Sequence, residues 1–387
     1  MSKYLKHDDE VRSFRTREAL EDYLQFRKEH DQWFIVRICE TGVVGIENFP
    51  MTVSEECSKN SLNALDESVY ECIEDGNGLF LTFPVNGKQE IYPTRLIAFT
   101  SICLRAGLSG YTISNFQSSK LRKVLPIIEK ASWLSRGLSL NGAYSKILLR
   151  DEKVSAMLSE DYVVLPADEL VAALEKELRK EHENLKFLFG EVSHEYLHVR
   201  YSLDDEDTDD RFSNLLQNIR YLNTDATDTS VKCGIGFATS DVGLSSAYAY
   251  PYFSISGLNV RFGETISMRH DGKNSVEKFA EKLQNLAGLF KEAEDAIEHL
   301  GNTDLTNVAT VVRNVVDKYS FLPKKQAEEV IKELEANADP SGTAMDAYLA
   351  LNDIVDRYSQ ECSSPTVHLN MLDKVCQFLR INYQLFE

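Results

Sequence analysis

Between residues 191 and 269 the chain offers four β-rich runs in close succession, at 191–203, 230–239, 245–256 and 258–269. Gly243, Gly257 and the pair Asp271–Gly272 punctuate them as turns or loop ends. Strands that follow one another so closely leave no room for parallel crossover helices, so they pair antiparallel. A long helical pattern follows at once. Val276, Phe279, Ala280, Leu283, Leu286, Phe290, Ala293 and Ile297 form one apolar stripe, closed by Gly301. Asn274, with Glu277 three residues on, reads as its N-cap. The expected class is therefore α+β: an antiparallel sheet flanked by helices.

The flanks extend this reading. Residues 10–30 show helical spacing, with Leu20, Tyr23 and Phe26 on one side. "WFIVRI" and "GLFLTFPV" read as buried strands. "EIYPTRLIAFTSICLRAGL" starts extended and turns helical, and a further helix is expected after Ser119. "AYSKILLR" reads as a strand, and "KVSAMLSEDYVVL" as a short element ending near Pro166. Asp168 is placed to cap a helix carrying Leu170, Val171, Leu174 and Leu178. The C-terminal region is mostly helical, at 305–320, 323–337, 343–359 and 365–382, with Pro340 and Pro365 as breaks. This suggests an N-terminal α/β region over 1–100, a central α+β core over 101–300 and a helical region over 301–387. No linker separates them.

A chain of 387 residues, 43% hydrophobic and 27% charged, has the makeup of a globular protein. It has no run of about 18 apolar residues, so no membrane partner is expected. The first residues are charged and lack an apolar core, so export is not expected. Seven cysteines lie scattered without CxxC spacing, which favours reduced thiols in a cytoplasm.

The net charge of −19 opposes non-specific attraction to nucleic acid. The charge is uneven, however. Residues 101–150 carry eight cations against one acid, Glu129. Such a window suits phosphates, with Phe116, Trp133 and Tyr144 as neighbours able to stack on bases. Its plainer reading is a helix with a charged face, then a turn and a strand. At the other extreme, Asp204 to Asp210 ("DDEDTDD") holds six acids in seven residues and reads as a solvated loop. It lacks EF-hand spacing. Tyr248, Tyr250 and Tyr252 alternate onto one strand face, as a stacking platform or as half-buried sheet surface.

One stretch raises chemistry. His194–His198 reads "HEYLH", the letter pattern of zinc proteases. That motif needs a helix. Here Leu197, Val199, Tyr201 and Leu203 alternate with His194, Tyr196, His198 and Arg200, which is strand periodicity. Residues four apart on a strand are roughly 13 Å apart, too far to share one zinc. No metal site, cofactor or catalytic residue is assigned. Phosphate-loop, nucleophile-elbow and dinucleotide signatures are absent too.

Four stretches carry a family resemblance: "LRDEKVSAMLSEDYVVLPADELVAAL" (149–174), "GIGFATSDVGLSSAYAYPYFSISGLNV" (234–260), "RFGETISMRHDGK" (261–273) and "GTAMDAYLALNDIVDRYS" (342–359). Together the chain resembles the uncharacterised phage/plasmid-like proteins, domain-of-unknown-function family 932. Where that family commonly has a Cys-Thr-Asn-Gly-like turn, this chain has "SISG" (254–257). The resemblance implies a mobile-element origin in a bacterial cytoplasm.

These readings give the expectation of a non-enzymatic protein that binds nucleic acid, with single-stranded DNA in an annealing role as one form of it, as a homo-oligomer. Its expected binding residues are Lys120, Arg122, Lys123, Lys130, Arg136, Lys146, Arg150, Arg261 and Arg269. The alternative is an acidic module that engages or inhibits a host protein. A hydrolase assembled from dispersed residues such as His194, Glu195, His198 and His270 stays open.

Overall fold

The computed structural model describes residues 8, 10–45, 78–110, 113, 127–216, 219, 221, 231–255, 257–361 and 365–387.

The fold is α+β, with a helical C-terminal region. Its main feature is a seven-stranded antiparallel sheet in the order β1 (Arg12–Phe14), β8 (Lys186–Val192), β9 (Leu197–Ser202), β10 (Val231–Thr239), β11 (Ala247–Ile255) and β12 (Leu258–Val260). The short β13 (Ile266–Met268) pairs with the other end of β11. The glycines expected to end strands do so: Gly243, Gly257 and Gly272 all have positive φ, where a Cβ is costly.

The first expected strand, 191–203, is in fact a hairpin. β8 and β9 are joined by the four-residue turn Ser193–Tyr196, closed by Ser193 N–H donating to Tyr196 O at 3.0 Å. The Ser193 hydroxyl also accepts from the N–H of Glu195 and of Tyr196. This local side-chain alternative to the ladder breaks the strand where periodicity alone would continue it.

One face of the sheet lies on the larger core. Val199, Tyr201, Ile235, Phe237, Ala249 and Phe253 point into it. The helices α1 (Arg17–His30), α4 (Ala167–Glu181), α6 (Val276–Leu283) and α7 (Leu286–Gly301) contribute their apolar stripes to the same core. The helix expected from 274 to 301 is two helices, and Ser275 rather than Asn274 caps the first by accepting from Lys278 N–H. The cap of α4 is Pro166; Asp168 lies in its first turn and pairs with Lys28. The C-terminal helices α8 (Val308–Lys318), α9 (Lys324–Glu335), α10 (Ala344–Glu361) and α11 (Pro365–Val375) complete the core. Between Ala344 and Leu351 α10 is buried on all sides, as a central helix must be.

The acidic run is not a loop. Glu206–Leu216 forms a helix, α5, opened by Asp205, whose carboxylate accepts from the Thr208 N–H and hydroxyl. Carboxylates in a first helical turn face the positive end of the helix dipole, so the charge run favours the helix it seemed to exclude. Asp209 is buried and accepts from Cys233 N–H and Lys232 Nζ, each at 2.8 Å.

A second, smaller core runs from Val36 to Met157. Two three-stranded sheets enclose it: β2 (Gln32–Arg37), β6 (Tyr144–Arg150) and β7 (Lys153–Ser159), and β3 (Gly42–Gly45), β4 (Leu79–Val85) and β5 (Lys88–Pro93). The helices α2 (Ala98–Arg105) and α3 (Ile127–Ser139) pack on them. This core crosses residue 100, so the expected division there does not coincide with a break between cores.

Candidate functional site: the tyrosine face and the ionic junction

The second face of the large sheet is polar and aromatic. Antiparallel register sets Tyr248 opposite Ala238, Tyr250 opposite Gly236 and Tyr252 opposite Gly234. On the far side of β10, His198 lies opposite Ala238 and Arg200 opposite Gly236. The tyrosine stripe is thus real, but all three side chains are buried, at 7%, 1% and 4% exposure. That places them beyond the reach of a base in this conformation.

Cations occupy the ring faces instead. The Arg261 guanidinium lies 3.8 Å from the Tyr250 centroid and 5.9 Å from that of Tyr248. Arg200 lies 5.1 Å from Tyr252 and 5.2 Å from Phe189. His198 Nε2 is 2.8 Å from the Tyr250 hydroxyl. Burial pushes the Tyr248 and Tyr252 hydroxyls upward, so both stay protonated. Arg261 is itself buried and pairs with Asp373 of α11. It borders a cleft of about 900 Å³ between the β12–β13 segment, α7 and the C-terminal segment. Four carboxylates, Glu264, Glu292, Asp295 and Asp373, line this cleft beside Arg261 and Arg380. Arg380 pairs with Glu264.

A second cleft, of about 590 Å³, lies where α5 starts. Seven carboxylates, among them Glu181, Asp204, Asp205, Asp207 and Asp209, line it against Lys232 and His182.

The third polar feature joins the two cores. Arg150, at the end of β6, donates to both oxygens of Asp31 and, at 2.6 Å, to Asp241. Arg27 also donates to Asp241, at 2.8 Å. Arg95 bridges Asp8 and Asp151. The β8–β9 turn sits against this cluster: Arg150 donates to His194 O, Arg27 to Ser193 O, and the Ser240 hydroxyl to Glu195 O. The Arg150 and Arg27 guanidiniums hold the half-buried Asp241 below the usual carboxylate range against the cost of its desolvation. His270 is held neutral beside them, chiefly by burial. Its Nδ1 faces Val163 O at 3.2 Å and its Nε2 the Thr239 hydroxyl at 3.1 Å. A neutral ring satisfies both contacts by donating from Nδ1 and accepting at Nε2.

The nine expected nucleic-acid residues do not form one described surface. Lys120, Arg122 and Lys123 lie outside the described residues. Lys130 is buried in α3. Arg150 and Arg261 are buried and neutralised by Asp31, Asp241 and Asp373. Lys146 donates to Tyr162 O at 2.5 Å. Only Arg136 and Arg269 of the described six are exposed. Sequence reading missed the partners of Arg150 because they come from 119 and 91 residues away. Of the stacking neighbours, Trp133 and Tyr144 are exposed, and Phe116 lies outside the described residues.

The "HEYLH" stretch spans a turn and the start of β9, so its histidines do not share a helix face. Among the described residues no group of three or more His, Cys, Asp or Glu is placed to hold a metal ion. None of the described helices is long and apolar enough to cross a membrane. Cys39, Cys103, Cys233 and Cys376 are free thiols. No family model, curated protein or solved structure matches the chain.

Proposed function

We propose that this chain is a non-enzymatic cytoplasmic binding protein whose partner is a protein carrying a basic segment. One observation supports this above the nucleic-acid reading: both polar clefts are lined by more carboxylates than cations, while two arginines expected to meet phosphates are already paired inside the fold. A carboxylate-lined concavity in a chain of net charge −19 steers a basic partner and repels a phosphate backbone. The tyrosine face supports the sheet rather than presenting a stacking surface, since its rings are covered by arginines.

The test is fluorescence anisotropy with two probes across a salt series: a labelled lysine- and arginine-rich peptide and a labelled single-stranded oligonucleotide. The proposal expects the peptide to bind, more weakly as salt rises, and the oligonucleotide not to bind. A Glu206→Gln/Asp207→Asn variant, changing two exposed residues of the α5 cleft, is expected to weaken the peptide. No peptide binding at low salt overturns the proposal. Oligonucleotide binding that is lost in a Lys120→Glu/Arg122→Glu/Lys123→Glu variant establishes the nucleic-acid reading in its place.

A further inference from the structure

We propose that His194, at the tip of the β8–β9 turn, is an acid-released latch between the two cores. His194 is 1% exposed, and neither of its ring nitrogens has a hydrogen-bond partner. A buried polar ring normally has at least one. The backbone of the same turn is, by contrast, held from two sides. Arg150 and Arg27 grip the carbonyls of His194 and Ser193, and Ser240 grips that of Glu195.

The groups around the ring decide what protonation does. The charges that act on the ring are Arg95 after β5, Arg150 at the end of β6, Arg27 of α1 and Lys153 of β7. All four are fixed cations, and Arg27, Arg95 and Arg150 already hold Asp8, Asp31, Asp151 and Asp241 in ion pairs. Protonation would therefore add a charge beside four cations, on a ring whose nitrogens have no acceptor in the closed turn. Burial first, then Arg95, Arg150, Arg27 and Lys153, all favour the neutral ring.

In the closed turn the ring resists protonation, and in the opened turn it titrates near the ordinary value of about 6.5. Closure is therefore fully favoured above that value and is lost as pH falls below it. The opening constant rises about tenfold per pH unit in that range, because one proton is taken up on opening. Release of the tip frees the carbonyls held by Arg150 and Arg27 and loosens the seam between the cores.

The experiment follows hydrogen–deuterium exchange of the turn segment, corrected for intrinsic rates, in the full chain from about pH 7.5 to about pH 5. Wild type is expected to show the tenfold-per-unit rise. His194→Gln, which stays neutral, is expected to remove it, and His270→Gln to retain it. Equal rises in wild type and His194→Gln overturn the proposal. If His194→Gln does not fold, the wild-type ring is titrated by NMR. A ring still neutral in a closed turn near pH 5 supports the latch, and a closed turn whose ring titrates at or above about 6.5 refutes it.

Discussion

Gly236 lies directly opposite Tyr250, and the tyrosine ring fills the space that a Cβ at 236 would need: an added Cβ would sit 2.3 Å from Tyr250 Cζ. Gly234 stands in the same relation to Tyr252, with an added Cβ 2.5 Å from the ring. Here glycine in a strand marks the close approach of a side chain from the neighbouring strand.

Gly236→Ala is therefore expected to destabilise the fold by about 1–3 kcal/mol, the usual scale of overpacking. The Tyr250 ring cannot swing away without leaving His198 and Arg261. Urea unfolding checks this. In a double-mutant cycle, Gly236→Ala should cost much less in a Tyr250→Ala background, since the clash is then absent.

Arg150→Met is expected to cost about 1–3 kcal/mol, because the half-buried Asp31 and Asp241 lose their shared cation and keep only Arg27. Arg150→Lys should recover little, since a single ammonium cannot reproduce the forked contact to both acids. Chemical denaturation of the three proteins at neutral pH tests both statements.

Stability should also fall with acid for a second reason. Arg150 and Arg27 hold Asp241 below its ordinary value, so the folded state binds this proton less readily than the unfolded chain. The contribution is present above about pH 4 and is lost as pH falls further. Asp241→Asn should flatten that part of the pH–stability curve, below the range in which His194 acts.

Asp209→Ala should cost about 1–3 kcal/mol, because the Cys233 N–H it serves would be buried without an acceptor. Asp207→Asn, an exposed neighbour in the same first turn, should cost only about 0.3–1 kcal/mol, the scale of one exposed carboxylate at a helix N-terminus. A pairwise comparison of midpoints separates the structural acid from the solvated one.

Burial pushes the Cys103 thiol up to about 11. In the folded protein near pH 8 it should resist a thiol reagent and become modified only with denaturant. Peptide mapping after timed labelling reads this out. Rapid native labelling of Cys103 would contradict the packing described for α2.

The α+β class and most of the strands were legible because alternation and turn glycines are local signals. Val199, Tyr201 and Leu203 announced their buried face, and Gly243 and Gly257 their turns. The break in the first strand was less visible, because Ser193 competes with the ladder through a local hydroxyl contact that periodicity does not register. The acidic run misled for the opposite reason. Charge repulsion argued for a loop, but Asp205 capping and Asp209 burial turned those carboxylates into helix-forming groups. The basic residues were countable but their neutralisation was not. Asp31, Asp241 and Asp373 reach Arg150 and Arg261 only once the chain has folded.

The ionic junction bears on how this chain can be divided. Arg150 ends a strand that helps enclose the smaller core, whereas Asp241 lies just beyond β10 of the large sheet. A cut that isolated either core would leave a stranded arginine on one piece and a stranded aspartate on the other. Each half would then carry an exposed seam that neither possesses in the intact molecule. Shuffling or truncation experiments that treat the cores as interchangeable modules should yield insoluble fragments, and co-expression of the two pieces should rescue both.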